Sequence, residues 1–176
     1  VETTVAQTTP TTDPGYLLEK LVREQRVKLE ITGGVPTWRL LPSVRHQKVI
    51  DRIRATIAPV AGQAEECGWY HLADVSLIFP DGSYRRPDIA IFCVEPPDID
   101  EAWECVPEAV IEIVSPGYTE KNLSINPPWH RSQGVKDVLI VEPRERWVRH
   151  FSHGRSPVTH PWHYTAELHC GCRVTI

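Results

Sequence analysis

Two acidic residues stand inside runs that are otherwise apolar. Asp88 lies in Arg85-Arg86-Pro87-Asp88-Ile89-Ala90-Ile91-Phe92, and Glu112 lies in Ala109-Val110-Ile111-Glu112-Ile113-Val114. An ionised carboxylate among β-branched and aromatic residues is costly unless its charge is compensated. Two such groups on adjacent strands would repel, and a hard divalent cation with oxygen ligands removes that repulsion. The chemistry this pattern suits is metal-assisted hydrolysis of phosphodiesters. Asp88, Glu112 and the backbone carbonyl of Ile113 would hold one or two Mg2+ or Mn2+ ions, which acidify a bound water and polarise the phosphoryl oxygen. Arg45, Arg85, Arg86 and Arg131 are the candidate phosphate contacts.

Each residue also has a plainer reading. A lone Pro-Asp more often ties down a turn, and Arg86 would then be the salt-bridge partner of Asp88. The second acid, followed by Ser115-Pro116, moves the balance toward a metal-type site. His46 is either a neighbour of that site or a histidine packing in the first turn of a helix. The six tryptophans are read mainly as core or edge packing, with Trp129 as the one candidate for base stacking.

The elements that must position these groups follow from periodicity. Residues 1–13 are Thr-rich and polar and read as a flexible tail, leaving 14–176 as a single domain. Asp13-Pro14 resembles a helix start, and Tyr16, Leu17, Leu18, Leu21 and Val22 predict a helix to about Gln25. Val27–Ile31 and Thr37–Leu41 predict a hairpin through Gly33-Gly34. Ser43 is a candidate cap for a second helix, striped by Val44, Ile50, Ile53 and Ile57 as far as Pro59. Trp69–Phe79 and Pro87–Val94 read as a hairpin turning at Asp81-Gly82. Residues 95–104 read as a solvated acidic loop. Val106–Val114 reads as a central strand, Val138–Val141 as a short buried one and Trp147–Phe151 as an edge strand. The order predicts an α+β fold with a mixed β-sheet flanked by helices.

Bulk properties limit the alternatives. The 176 residues are 41% hydrophobic and 24% charged, ordinary for a globular chain. No run approaches the length of a bilayer span, so no membrane partner is expected, and the polar start has no signal-peptide pattern, so a cytoplasmic location is expected. The net charge of −4 gives no global basic field, so nucleic acid would have to be held by a local patch. Cys67, Cys93, Cys105, Cys170 and Cys172 are odd in number and unevenly spaced, which favours buried thiols over a disulfide framework. His150, His153, His160, His163 and His169 crowd the C-terminal part beside Cys170-Gly171-Cys172. A zinc site usually wants two paired clusters, and this Cys-x-Cys has no second knuckle in the sequence, so the histidines read as surface residues of edge strands.

The Arg-Pro-Asp strand, Glu112-Ile113-Val114-Ser115-Pro116 and Gly134-Val135-Lys136-Asp137-Val138-Leu139-Ile140-Val141-Glu142-Pro143 together resemble the Uma-type putative restriction endonuclease family of the PD-(D/E)XK nuclease superfamily. With Arg45-His46-Gln47 at the second helix, the resemblance runs from about Tyr16 to Phe151. It implies a restriction-endonuclease-like core with the acids at one end of the sheet, Asp88 as the Pro-Asp acid and Glu112 as the second acid. The superfamily places a lysine two residues after that glutamate, where this chain has Val114. The family instead places one on the following helix, a segment that Pro127-Pro128 is expected to break in this chain. Without gaps that position falls on Asn126 and the preceding acid on Asn122, so Lys121 is the nearest ammonium to orient or activate the attacking water.

The resemblance thus implies a Mg2+- or Mn2+-dependent endonuclease acting on DNA, in which a homodimer would allow both strands to be cut. The departures at Asn122 and Asn126 support a second reading, a catalytically impaired relative that binds nucleic acid or a protein partner without cleaving. A third is a structural α+β protein whose acids are ion-paired.

Overall fold

The computed structural model describes residues 27–40, 42–62, 67–115 and 124–176. The N-terminal tail, the expected helix to Gln25, Lys121 and Asn122 lie outside the described residues. Val27–Thr32 (β1) and Val35–Leu40 (β2) form the expected hairpin. Gly33 and Gly34 have φ of +54° and +79°, the left-handed pair that a two-residue hairpin turn needs and that glycine adopts without a Cβ clash.

The second helix, α1, spans Val44–Arg54, and the Ser43 side chain accepts a hydrogen bond from the His46 N–H at 3.3 Å. Its buried stripe is His46, Val49, Ile50 and Ile53, whereas Val44, expected inward, is 78% exposed. Burying Ile50 and Ile53 contributes about 1.5–3 kcal/mol each, against about 1 kcal/mol for the cap. Packing therefore holds the helix, and the cap sets where it begins. The helix stops short of Pro59. The Thr56 hydroxyl donates to the Ile53 carbonyl and accepts the Thr175 N–H, turning the chain into the short strand Ala58–Pro59 (β3).

The central sheet contains Tyr70–Ala73 (β4), Ile89–Phe92 (β7), Ala109–Ile113 (β9), Asp137–Glu142 (β10), Trp147–Ser152 (β11) and Val158–Pro161 (β12). Their order is β12-β11-β10-β9-β7-β4, with β9 and β10 parallel and the other pairs antiparallel. The strand at Trp147 is therefore not at the edge, since β12 covers it. A second sheet orders β2-β1-β6-β5-β8, where Leu77–Ile78 is β5, Tyr84–Arg85 is β6 and Trp103–Glu104 is β8. Thr165–Glu167 (β13) and Cys172–Thr175 (β14) join β3 in a third sheet.

The hairpin expected from Trp69 to Val94 is divided between two sheets. Asp74 takes a φ of +54°, a conformation aspartate tolerates better than most residues. The chain leaves the central sheet there. As a result β4 pairs with β7, while the Asp81-Gly82 turn joins β5 to β6.

Alternation assigns the two faces of the central sheet. Ile89, Ile91, Ala109, Ile111, Ile113, Leu139 and Val141 pack with Val49, Ile50 and Ile53 of α1. Ala90, Phe92, Val110, Val138 and Ile140 pack on the opposite face with Leu77 and Phe79 of the β5–β6 region. Both faces are covered, which is why these strands read as near-continuous apolar runs.

Asp137, fully buried, ties the C-terminal segment to this core. Its carboxylate lies 2.9 Å from His150 Nε2, accepts the His169 backbone N–H at 2.8 Å and meets His169 Nδ1 at 3.1 Å. His150 is thus a buried partner rather than the surface histidine expected. Burial alone would raise the Asp137 pKa, but bonds from His150, His169 and Ser152 and the charge of His150 hold it below the ordinary carboxylate value. A depressed folded-state pKa gives stability that is present above the unfolded pKa and lost as pH falls through the folded one. Urea unfolding followed against pH is therefore expected to show stability falling below about pH 4, and Asp137→Asn is expected to flatten that acid limb. An unchanged limb in the variant would remove Asp137 as its source.

Candidate active site

The two acids stand at one end of the paired segment of β7 and β9. Ile89 pairs with Ile111, Ala90 with Val110 and Ile91 with Ala109, and Asp88 and Glu112 are each the next residue beyond the Ile89–Ile111 pair, Asp88 just before β7 and Glu112 within β9. Each acid is only 2% exposed. A slip of one residue would put Ile89 or Ile113 in their place.

Three elements hold Asp88. The Ile113 N–H of β9 donates to Asp88 Oδ2 at 2.8 Å, and the Asp74 N–H donates to the Asp88 carbonyl at 3.3 Å. From α1, His46 Nε2 lies 3.1 Å from Asp88 Oδ1, while His46 Nδ1 lies 3.3 Å from Ser115 Oγ. One tautomer satisfies both contacts, with the Ser115 hydroxyl donating to Nδ1 and Nε2–H donating to Asp88. The Ser43 cap sets the phase of α1 and thereby delivers His46 to the acid. His46 is thus a contact of Asp88 as well as a packed residue.

Glu112 has a partner that sequence reasoning missed. His130 Nε2 lies 3.4 Å from Glu112 Oε1, and His130 is 1% exposed. It sits on Asn126–Ser132 (α2), which the sequence reading treated as broken by Pro127-Pro128. The prolines fall in its first turn, where the missing N–H groups have no intrahelical partner to lose. Reading Pro-Pro as a helix start would have placed Trp129 and His130 on a regular helix beside the central strands.

The arginines divide by burial. Arg85 is buried, with its Nη1 3.6 Å from Glu30 Oε2 and 3.4 Å from Asn126 Oδ1, and its guanidinium lies 4.2 Å from the centre of the Trp129 ring. It is a core cation rather than an open phosphate contact. Trp129 presents that ring to Arg85, packs edge-on to Phe79 and donates its indole N–H to Asp81, so packing accounts for it. Arg86 pairs with Asp74 at 3.1 Å, not with Asp88 as the turn-tying reading required. Arg45 and Arg131 are exposed, each next in sequence to a histidine that contacts an acid. Asn126 is buried and accepts from Arg85.

Asp88 and Glu112 offer hard oxygen donors, which suit Mg2+ or Mn2+ better than a thiophilic ion. The histidines on Asp88 and Glu112 orient the carboxylates from outside, as partners of metal-binding acids commonly do. The Ile113 amide is committed to Asp88, which fixes the backbone next to the expected carbonyl ligand.

No curated protein matches the sequence. A solved structure described as a putative nuclease belonging to DUF820, from Anabaena variabilis, matches with a TM-score of 0.60 at 17% identity, covering 78% of this chain and 79% of that one. At that identity the likeness establishes the fold, an α+β nuclease-like core. No helix among the described residues is long and apolar enough to cross a membrane. The family model described as "Uma2: Putative restriction endonuclease" matches residues 16–167, and the chain accordingly belongs to that family.

Proposed function

We propose that the protein is a divalent-metal-dependent endonuclease that hydrolyses DNA phosphodiester bonds at the rim carrying Asp88 and Glu112. The observation that supports this reading is the burial of two carboxylates, Asp88 and Glu112, each one residue beyond the Ile89–Ile111 end of the β7–β9 pairing. Asp88, Glu112 and the Ile113 carbonyl would hold Mg2+ or Mn2+, which supplies Lewis acidity and an activated water when bound. The Ile113 N–H and His46 fix Asp88, and His130 fixes Glu112, so that the carboxylate oxygens keep their orientation. Arg45 and Arg131 contact the phosphates flanking the scissile bond, with Arg86 as a further contact if it leaves Asp74. Lys121 orients the nucleophile. In this reading the protein acts in the cytoplasm as a single domain over 14–176 with a tail at 1–13, and a homodimer cuts both strands.

A second reading, binding without cleavage, is supported by Asn126. This residue, at the position expected for the lysine, is buried beneath Arg85 and brings no ammonium of its own. Isothermal titration with Mg2+ and Mn2+, together with nicking of supercoiled plasmid, distinguishes the two. Endonuclease function predicts metal-dependent nicking and loss of the binding heat in Glu112→Ala. Inert wild-type protein that still shifts DNA in a gel without metal would favour the second reading.

A further inference from the structure

Four of the five cysteines converge from three separate parts of the chain. Cys67 precedes β4, Cys93 follows β7, and Cys170 and Cys172 flank Gly171 at the start of β14. The side-chain sulfurs of Cys67, Cys170 and Cys172 all lie within 4.8 Å of one another, and Cys67 Sγ is 3.9 Å from Cys172 Sγ. Cys93 Sγ is bonded to Cys67 Sγ as a disulfide, which corrects the expectation of free thiols at those two positions. Cys105 lies apart from the group. The second cysteine pair, absent as a local motif in the sequence, is therefore present in space, supplied by residues 26 apart in the chain.

We propose that Cys67, Cys93, Cys170 and Cys172, when reduced, form a tetrahedral tetrathiolate site for Zn2+. A zinc–sulfur bond of about 2.3 Å sets sulfur–sulfur edges of about 3.8 Å in a tetrahedron, and the Cys67–Cys172 separation matches such an edge. A disulfide requires only one pair of cysteines and gives no reason for a second pair to be placed against it.

The backbone around that second pair is fixed from several directions. The His169 N–H donates to Asp137, the Gly171 carbonyl accepts from the Val60 N–H at 2.8 Å, and Leu168 N–H donates to the Cys172 carbonyl at 2.7 Å. Gly171 has a φ of +78°, which lets the chain reverse between the two thiols. On the other side, the Gly68 N–H donates to the Cys93 carbonyl at 2.9 Å, keeping the Cys67 and Cys93 segments side by side. Lys136, paired with Glu108 at 2.8 Å, and His169 line the same cavity of about 340 Å3. Four thiolates and one Zn2+ carry a net charge of −2, which the Lys136 ammonium, shared with Glu108, offsets in part.

The disulfide and the metal site are alternative states of the same sulfurs. A dithiol reductant passes two electrons and two protons to the Cys67–Cys93 bond, giving two thiols and leaving the reductant as its own disulfide. The four thiols then release four protons as Zn2+ binds. Bound zinc would join the segment before β4, the end of β7 and the β13–β14 turn.

The test is zinc content, measured by inductively coupled plasma mass spectrometry on the full chain after dithiol reduction, zinc addition and gel filtration. Stoichiometric zinc is expected in wild type and in Cys105→Ser, and near-complete loss in Cys170→Ser and Cys172→Ser. Because those two variants can lose zinc by misfolding, wild-type protein loaded with Co2+ gives an independent readout, the visible bands of tetrahedral thiolate cobalt. The proposal is overturned if reduced wild type retains no zinc or shows no such bands. It is equally overturned if Cys170→Ser and Cys172→Ser keep wild-type zinc, or if mass spectrometry finds the Cys67–Cys93 bond intact after reduction with zinc present.

Discussion

Asp88→Asn is expected to lower metal-dependent plasmid nicking by roughly 10³-fold, about 4 kcal/mol of barrier, while leaving the fold intact. The amide oxygen can still accept the Ile113 N–H that Asp88 accepts at 2.8 Å. Its NH2 can donate to His46 Nε2 once that histidine carries its proton on Nδ1 and donates to Ser115. What disappears is a buried negative charge, and with it half of the proposed metal-binding pair. Because the amide keeps the Ile113 and His46 contacts, the variant's melting temperature should stay close to that of wild type. Activity and stability should therefore move apart. A variant that nicks plasmid as fast as wild type would remove Asp88 from the chemistry. One that loses activity only in proportion to a fallen melting temperature would make Asp88 a structural residue.

The second large effect is expected at Arg85. Its guanidinium is buried between Glu30, itself 2% exposed, and Asn126, and covers the Trp129 ring. Arg85→Met removes the cation while keeping an apolar stem, so the cost measures the loss of charge more than the loss of volume. Breaking a buried pair by removing one partner typically costs about 3–5 kcal/mol. Urea unfolding should show a loss of that size. The double variant Glu30→Gln/Arg85→Met should recover a substantial part of it, because the charge that Arg85 meets is removed with it. A loss below about 1 kcal/mol, the range of exposed pairs, would mean that solvent reaches the site. Since Arg85 also holds Asn126 at the start of α2, an accompanying fall in nicking would connect this pair to the placement of His130 on Glu112.

Local pattern carried most of the fold. The Gly33-Gly34 hairpin, the Ser43 cap and the apolar strands around Glu112 depend on residues close in sequence, and all three appear where the sequence placed them. The division of Trp69–Val94 between two sheets was not legible, because it depends on one left-handed aspartate at position 74 and on which partner each half finds. Of the candidate site, the sequence singled out the two acids and His46, and the structure buries all three. The site's second histidine was hidden by reading Pro127-Pro128 as a break rather than a beginning. The cysteines show the same limit more sharply. Spacing along the chain could not pair Cys67 and Cys93 with Cys170-Gly171-Cys172, since only the folded sheet edges bring those segments together.

The connection from β7 to β9 departs at Cys93, the end of the strand away from Asp88, and returns below Glu112. Its length can change without moving either acid, because the pairing of Ile89–Ile91 with Ala109–Ile111 is fixed on the far side of the join. An insertion among residues 95–101, ahead of β8, would therefore be absorbed as a longer excursion, whereas a single residue added within 89–92 would shift Asp88 relative to Glu112. Diversification of this scaffold thus has a permissive end and an intolerant end on the same pair of strands.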